Sequence, residues 1–121
     1  MAFLAHLEAV VNQVPGALAC SVMGFDGIPV ETHQSDDAVE MDLQSSWVEY
    51  ANMLSQLRGA SDSMRTGAVA EMAVSSEKVV TLMRLVSPDY FLVLAMRPDG
   101  NYGKGRYLLR TTAPVLRRDL E

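Results

Sequence analysis

Residues 91–96, FLVLAM, carry no polar side chain. Side chains along a strand point alternately to the two faces of its sheet, so this strand is apolar on both. A strand of that kind belongs in the middle of a sheet that is covered on both sides. The rest of the chain must therefore supply neighbouring strands and amphipathic helices to cover both faces.

Three stretches have helical periodicity. Residues 2–13 place Phe3, Leu7, Val10 and Val14 at spacings of four, three and four, with Leu4 and Val11 beside them, and Pro15-Gly16 ends the run. Residues 42–65 carry the clearest pattern. Leu43, Trp47, Tyr50, Leu54, Leu57 and Met64 form a heptad-like seam that only Ser61 interrupts. Asp42 suits the start of this helix and Gly67 its stop. The third stretch, Tyr102 to Leu120, aligns Leu108, Thr112 and Val115, with Leu109 and Leu116 beside them. Pro114 removes a backbone bond to the Arg110 carbonyl and predicts a kink, whereas Arg117 and Arg118 suit the C-terminal end of the helix dipole.

Between these lie short apolar runs bounded by turn residues. ALACSVMG (17–24) reads as a strand, Phe25-Asp26-Gly27 as a hairpin turn, and Ile28 to His33 as the return strand. Residues 34–40 are polar and acidic. A three-stranded meander follows: Ala68 to Val74, Val79 to Leu85 and Phe91 to Met96, separated by Ser75–Lys78 and Ser87-Pro88-Asp89 and closed by Arg97–Gly100. The order is α-β-β-α-β-β-β-α, an α+β antiparallel sheet with helices on it. No repeat or linker divides the 121 residues, so a single domain, 1–121, is expected.

Composition narrows the function classes. Ten basic against fifteen acidic residues leave a net charge of −5, which argues against salt-driven nucleic-acid binding. One cysteine, Cys20, excludes an intramolecular disulfide and fits a reducing compartment. No apolar run approaches the ~18 residues of a membrane span. The N-terminus lacks a basic leader region, and Leu18-Ala19-Cys20 has its leucine one place too close to the cysteine for a lipoprotein box. These features predict a cytoplasmic protein without membrane insertion.

Sites for chemistry are sparse. GNYGKG (100–105) contains Gly-Lys, but Pro98 stands where a Walker A motif needs its first glycine and Gly105 where it needs a hydroxyl. A glycine-rich loop opening the last helix is the better reading. His6 and His33 are the only histidines, so strong ligands for a closed metal site are lacking. The cluster Asp36, Asp37, Glu40 and Asp42 lacks calcium-loop spacing and suits a solvated helix cap. No GxSxG elbow exists, and Cys20 lies in an apolar strand that disfavours a thiolate. Neither a cofactor nor a catalytic residue is expected. The long helix can use its apolar seam on its own sheet or against another helix, and its opposite side bears Ser45, Glu49, Asn52, Gln56 and Ser63.

The short first helix ending at Pro15-Gly16, the strand LACSVMG running into FDGIPV (25–30), the long helix, the meander and the end GNYGKGRYLLRTTAPVLRRDL (100–120) together resemble the Roadblock/dynein light chain family, with bacterial relatives of the mutual gliding protein B type. The resemblance covers essentially the whole chain. It implies a five-stranded antiparallel sheet with the long helix on one face and the two terminal helices on the other, a fold that is broadly profilin-like. It also implies a homodimer joined through third strands and long helices. Trp47, Tyr50 and Leu54, with strand residues Val69 and Glu71, are the expected contacts. The joined helices would form a platform, here Ser45, Glu49, Asn52 and Gln56, for a small Ras-like GTPase whose hydrolysis the dimer could accelerate. A homo- or heterodimeric structural adaptor is the alternative, and a small-ligand sensor is a third reading by fold analogy.

Overall fold

The computed structural model describes residues 3–38 and 41–120. In chain order it comprises α1 (Phe3–Gln13), β1 (Ala17–Gly24), β2 (Pro29–Gln34), a 3-10 turn (Asp36–Ala38), α2 (Leu43–Met64), β3 (Glu71–Ser75), β4 (Val80–Leu85), β5 (Tyr90–Met96) and α3 (Tyr102–Leu120). The strands form one antiparallel sheet in the order β2-β1-β5-β4-β3. The doubly apolar strand β5 lies at its centre, as its composition requires.

The alternation along β5 divides the core in two. Leu92, Leu94 and Met96 join Cys20, Val22 and Leu82 beneath α1 and α3, which contribute Leu7, Val10, Leu109 and Leu116. Phe91, Val93 and Ala95 join Met23 and Met83 beneath α2, which contributes Leu43, Trp47, Ala51 and Leu54. One long helix covers one face and two terminal helices cover the other.

Helix ends follow local chemistry. Asp42 caps α2: its Oδ1 accepts from the Ser45 backbone N–H at 3.3 Å, and its Oδ2 accepts from the Ser45 hydroxyl at 2.8 Å. At the other end Arg65 adopts a left-handed conformation (φ 57°), and Gly67 at φ 92° completes the exit from the helix.

Several sequence expectations shift. The return strand β2 is Pro29–Gln34 rather than Ile28 to His33. The edge strand β3 begins at Glu71 rather than Ala68, because residues 66–70 carry the chain from the end of α2 down to the sheet. The Ala70 carbonyl accepts from Leu85 N–H at 3.0 Å just before the regular pairing starts.

Of the glycines of GNYGKG only Gly100 lies in the turn that opens α3. Asn101 caps α3 by accepting from the Lys104 backbone N–H at 3.0 Å, and Gly103 and Gly105 lie inside the helix. A Cβ at Gly105 would stand 3.0 Å from Leu94 Cδ2 and 3.3 Å from Leu82 Cδ1. The glycine thus lets α3 approach the sheet closely. The helix also continues without interruption through Pro114. Arg110 and Pro114 both lie on the solvent side, where the carbonyl left without its usual partner can be hydrated.

Candidate interaction surface

The inner face of α2 is Leu43, Trp47, Ala51 and Leu54. Trp47 is 2% exposed and Leu54 0%, both packed on the chain's own sheet. This corrects their assignment to a self-association surface. A helix of 3.6 residues per turn rotates away from a strict 3.5-residue seam. The sheet therefore takes positions 43, 47, 51 and 54. The remaining seam positions, Tyr50, Leu57 and Met64, fall on a flank. Ala51 was hidden from the sequence reading because alanine weighs little in an apolar count.

That flank is not covered by the rest of the chain. Met53 is 49% exposed, Leu57 43% and Met64 66%, and Tyr50 is half-buried. The opposite flank is occupied: Val48 approaches the turn at Gly27, and the Arg58 guanidinium stands 4.5 Å over the Phe25 ring while donating to the Pro88 carbonyl at 3.0 Å. Strand β3 ends the sheet order, so among the described residues one of its edges has no neighbouring strand.

The other expected contacts sit around this edge. Val69 precedes β3 and packs, half-buried, against the α2 core. Glu71 faces the opposite side of the sheet. Arg106 Nε donates to both of its carboxylate oxygens, at 2.8 and 3.0 Å, and Arg106 Nη2 makes a further short bond to Oε1. Arg84 stands 3.8 Å away. These bonds from Arg106 hold the Glu71 carboxyl below its usual range, and the same carboxylate raises Arg106. Ion pairing therefore already engages Glu71 within the chain.

Ser45, Glu49, Asn52 and Gln56 are all exposed on the side of α2 away from the sheet. Ser45 doubles as part of the helix cap. The strip has one charge and no cation. Arg58 does not project from the helix as a mobile cation would, because Phe25 and Pro88 hold it.

The polar residues weighed for other chemistry are dispersed. Asp37 pairs with Arg97 at 2.8 Å, Asp42 caps α2, and Glu40 lies outside the described residues. Burial pushes the Cys20 thiol up to about 12. Among the described residues no three His, Cys, Asp or Glu groups converge on a potential metal position, and no helix is long and apolar enough to cross a membrane.

No family model and no curated protein matches the chain, but solved structures do. MglC from Myxococcus xanthus is 66% identical over 98% of this chain and 99% of its own, with a TM-score of 0.71. A Roadblock/LC7 domain from Streptomyces avermitilis is 14% identical over 96% and 95%, with a TM-score of 0.82. The gliding protein MglB from Thermus thermophilus is 15% identical over 95% and 85%, with a TM-score of 0.83. The last two share the fold, whereas the likeness to MglC extends through the sequence. The chain belongs to the Roadblock/LC7 family, with MglC as a full-length relative.

Proposed function

We propose that this chain is a non-catalytic regulator that self-associates through the β3 edge and the adjoining flank of α2, and that the paired α2 helices present a platform to a small Ras-like GTPase. The supporting observation is that the chain carries both an end strand with an open edge and an exposed apolar flank on its long helix. Each is a liability in a monomer. A single two-fold contact with a second copy covers both, because an isologous interface uses the same patch twice. Tyr50, Val69 and Glu71 remain in this interface, and Met53, Leu57 and Met64 take the place of Trp47 and Leu54.

The platform is the strip Ser45, Glu49, Asn52 and Gln56. It holds no cation to insert into a nucleotide site, so any acceleration of hydrolysis would act by ordering the partner's own switch loops. The same lack of a cation favours the second reading, an adaptor whose binding is indifferent to nucleotide. Both readings assume a cytoplasmic protein. With MglC and MglB as structural relatives, both fit control of cell polarity or gliding motility.

A pull-down with the tagged protein in GDP and in a non-hydrolysable GTP analogue separates them. Retention of a Ras-like GTPase in one state supports the regulator, with Glu49→Arg expected to weaken it while the fold persists. Retention in both states, or recovery of scaffold proteins alone, supports the adaptor.

A further inference from the structure

Charge is unevenly placed along the chain. All ten lysines and arginines lie at or beyond position 58, whereas eight of the fifteen acidic residues precede it. The part without lysine or arginine includes α1, β1, β2 and most of α2. The sheet order sets β2 at one end and β3, from the other part, at the opposite end. The β2 end of the sheet is therefore the acidic one. Around β2 the acids are Asp26, Glu31, Asp36 and Asp37. Asp37 pairs with Arg97, and Asp26 Oδ1 accepts from the Ile28 amide. The Glu31 carboxylate is exposed and has no hydrogen-bond or ion-pair partner among the described residues.

Strand β2 also has an open edge, and the ladder fixes which backbone groups that edge offers. The Ser35 N–H donates to the Leu18 carbonyl at 2.8 Å, and in the same register His33 pairs with Cys20 and Glu31 with Val22. Bonded and non-bonded pairs alternate along an antiparallel ladder. Glu31, His33 and Ser35 thus turn their amides and carbonyls to β1. Thr32 and Gln34 turn theirs outward, where among the described residues no further strand lies. Pro29 lacks an N–H, and the register shifts between Val22 and Met23, so the regular edge is limited to residues 31–34. So short an edge needs side-chain contacts besides its backbone bonds.

We propose that the open edge of β2 takes an extended basic segment of another protein as a sixth strand. Backbone bonds to Thr32 and Gln34 hold the segment, and its lysines or arginines meet Glu31 and Asp36. Charge argues against a second copy, because β2 laid on β2 brings like carboxylates together. The edge lies at the opposite end of the sheet from β3 and on no part of α2. The proposal is therefore independent of the self-association and GTPase readings.

The test is fluorescence anisotropy with a labelled peptide of about eight residues in which Lys and Thr alternate, roughly the length of a strand. A Glu/Thr peptide of equal length is one control. The other is the Lys/Thr peptide with alternate backbone nitrogens methylated, which keeps the charge and loses the donors. The unmodified basic peptide should bind, more weakly at high salt, and methylation should weaken it at least ~10-fold. Glu31→Lys should weaken it at least ~3-fold, with folding checked by circular dichroism. Glu77→Lys makes the same charge change in the turn between β3 and β4, beyond β1 and β5, and should alter affinity less than ~2-fold. In hydrogen exchange followed by NMR, excess basic peptide should slow the Thr32 and Gln34 amides at least ~5-fold.

No binding up to ~1 mM peptide overturns the proposal. So does equal binding of the acidic or the methylated peptide, equal loss in the Glu31 and Glu77 variants, or protection that leaves Thr32 and Gln34 unchanged. Protection of these two amides that rises with protein concentration alone, without peptide binding, also overturns it and assigns the edge to a second copy.

Discussion

Trp47 shows how one residue type admits two readings. A tryptophan on a long helix suits an interface as well as a core, and only its burial under the sheet decides between them. Trp47→Ala should cost about 3–5 kcal/mol, measured by urea denaturation at a fixed protein concentration well above any dimer dissociation constant. Cys20 is simpler. An apolar strand between two covered faces predicts an inert thiol, and burial that raises it to about 12 agrees. A thiol reagent at mildly alkaline pH should leave native protein unlabelled and label it on unfolding. Glu71 makes a pH prediction. Its folded value is lowered by Arg106, so its contribution is present above the ordinary value of 4.5 and is lost as pH falls through the lower folded value. Glu71→Gln should therefore flatten the loss of stability below about pH 4.5, by a modest amount because the pair is exposed to solvent.

The elements were legible to different depths. The covered strand β5 is evident from FLVLAM, because the absence of any polar position leaves it only a central place. The span of α2 is equally clear, but its phase is not: a heptad seam and a sheet-facing stripe share Leu43, Trp47 and Leu54, then diverge by Leu57. The bounds of α3, Tyr102 to Leu120, are those its periodicity predicts, although two of its glycines lie within the helix and not in the loop that opens it. Close approach of Gly105 to Leu94 and Leu82 and a cap at Asn101 explain why glycine is tolerated there. Pro114 lies inside an unbroken α3, with the disrupted bond on the solvent side. Pro114→Ala should restore that bond and raise stability by up to ~3 kcal/mol, seen as a higher melting temperature. An unchanged melt would show that the proline costs the helix nothing.

At the scale of the whole molecule, the apolar flank of α2 and the open edge of β3 should act together. The solution mass is expected near twice 13.2 kDa. Met53→Glu with Leu57→Glu should return it to the monomer value while the far-ultraviolet spectrum stays native. These side chains are outside the core, so their exchange should leave the two packed layers intact. A persistent dimer in the double variant would move the contact elsewhere on the molecule. Trp47→Ala should behave in the opposite way, lowering stability first.

The sequence by itself determined the element order, the central strand, the antiparallel sheet and the family, because these depend on local periodicity, turn residues and the burial demand of apolar runs. Tertiary structure alone decided which stripe of α2 the sheet consumes and which it leaves exposed. It also decided that Glu71 is tied to Arg106 on the sheet's other face. These are relations between residues distant in the chain. Their distances are set by how helices sit on a sheet, which no local pattern of side chains encodes.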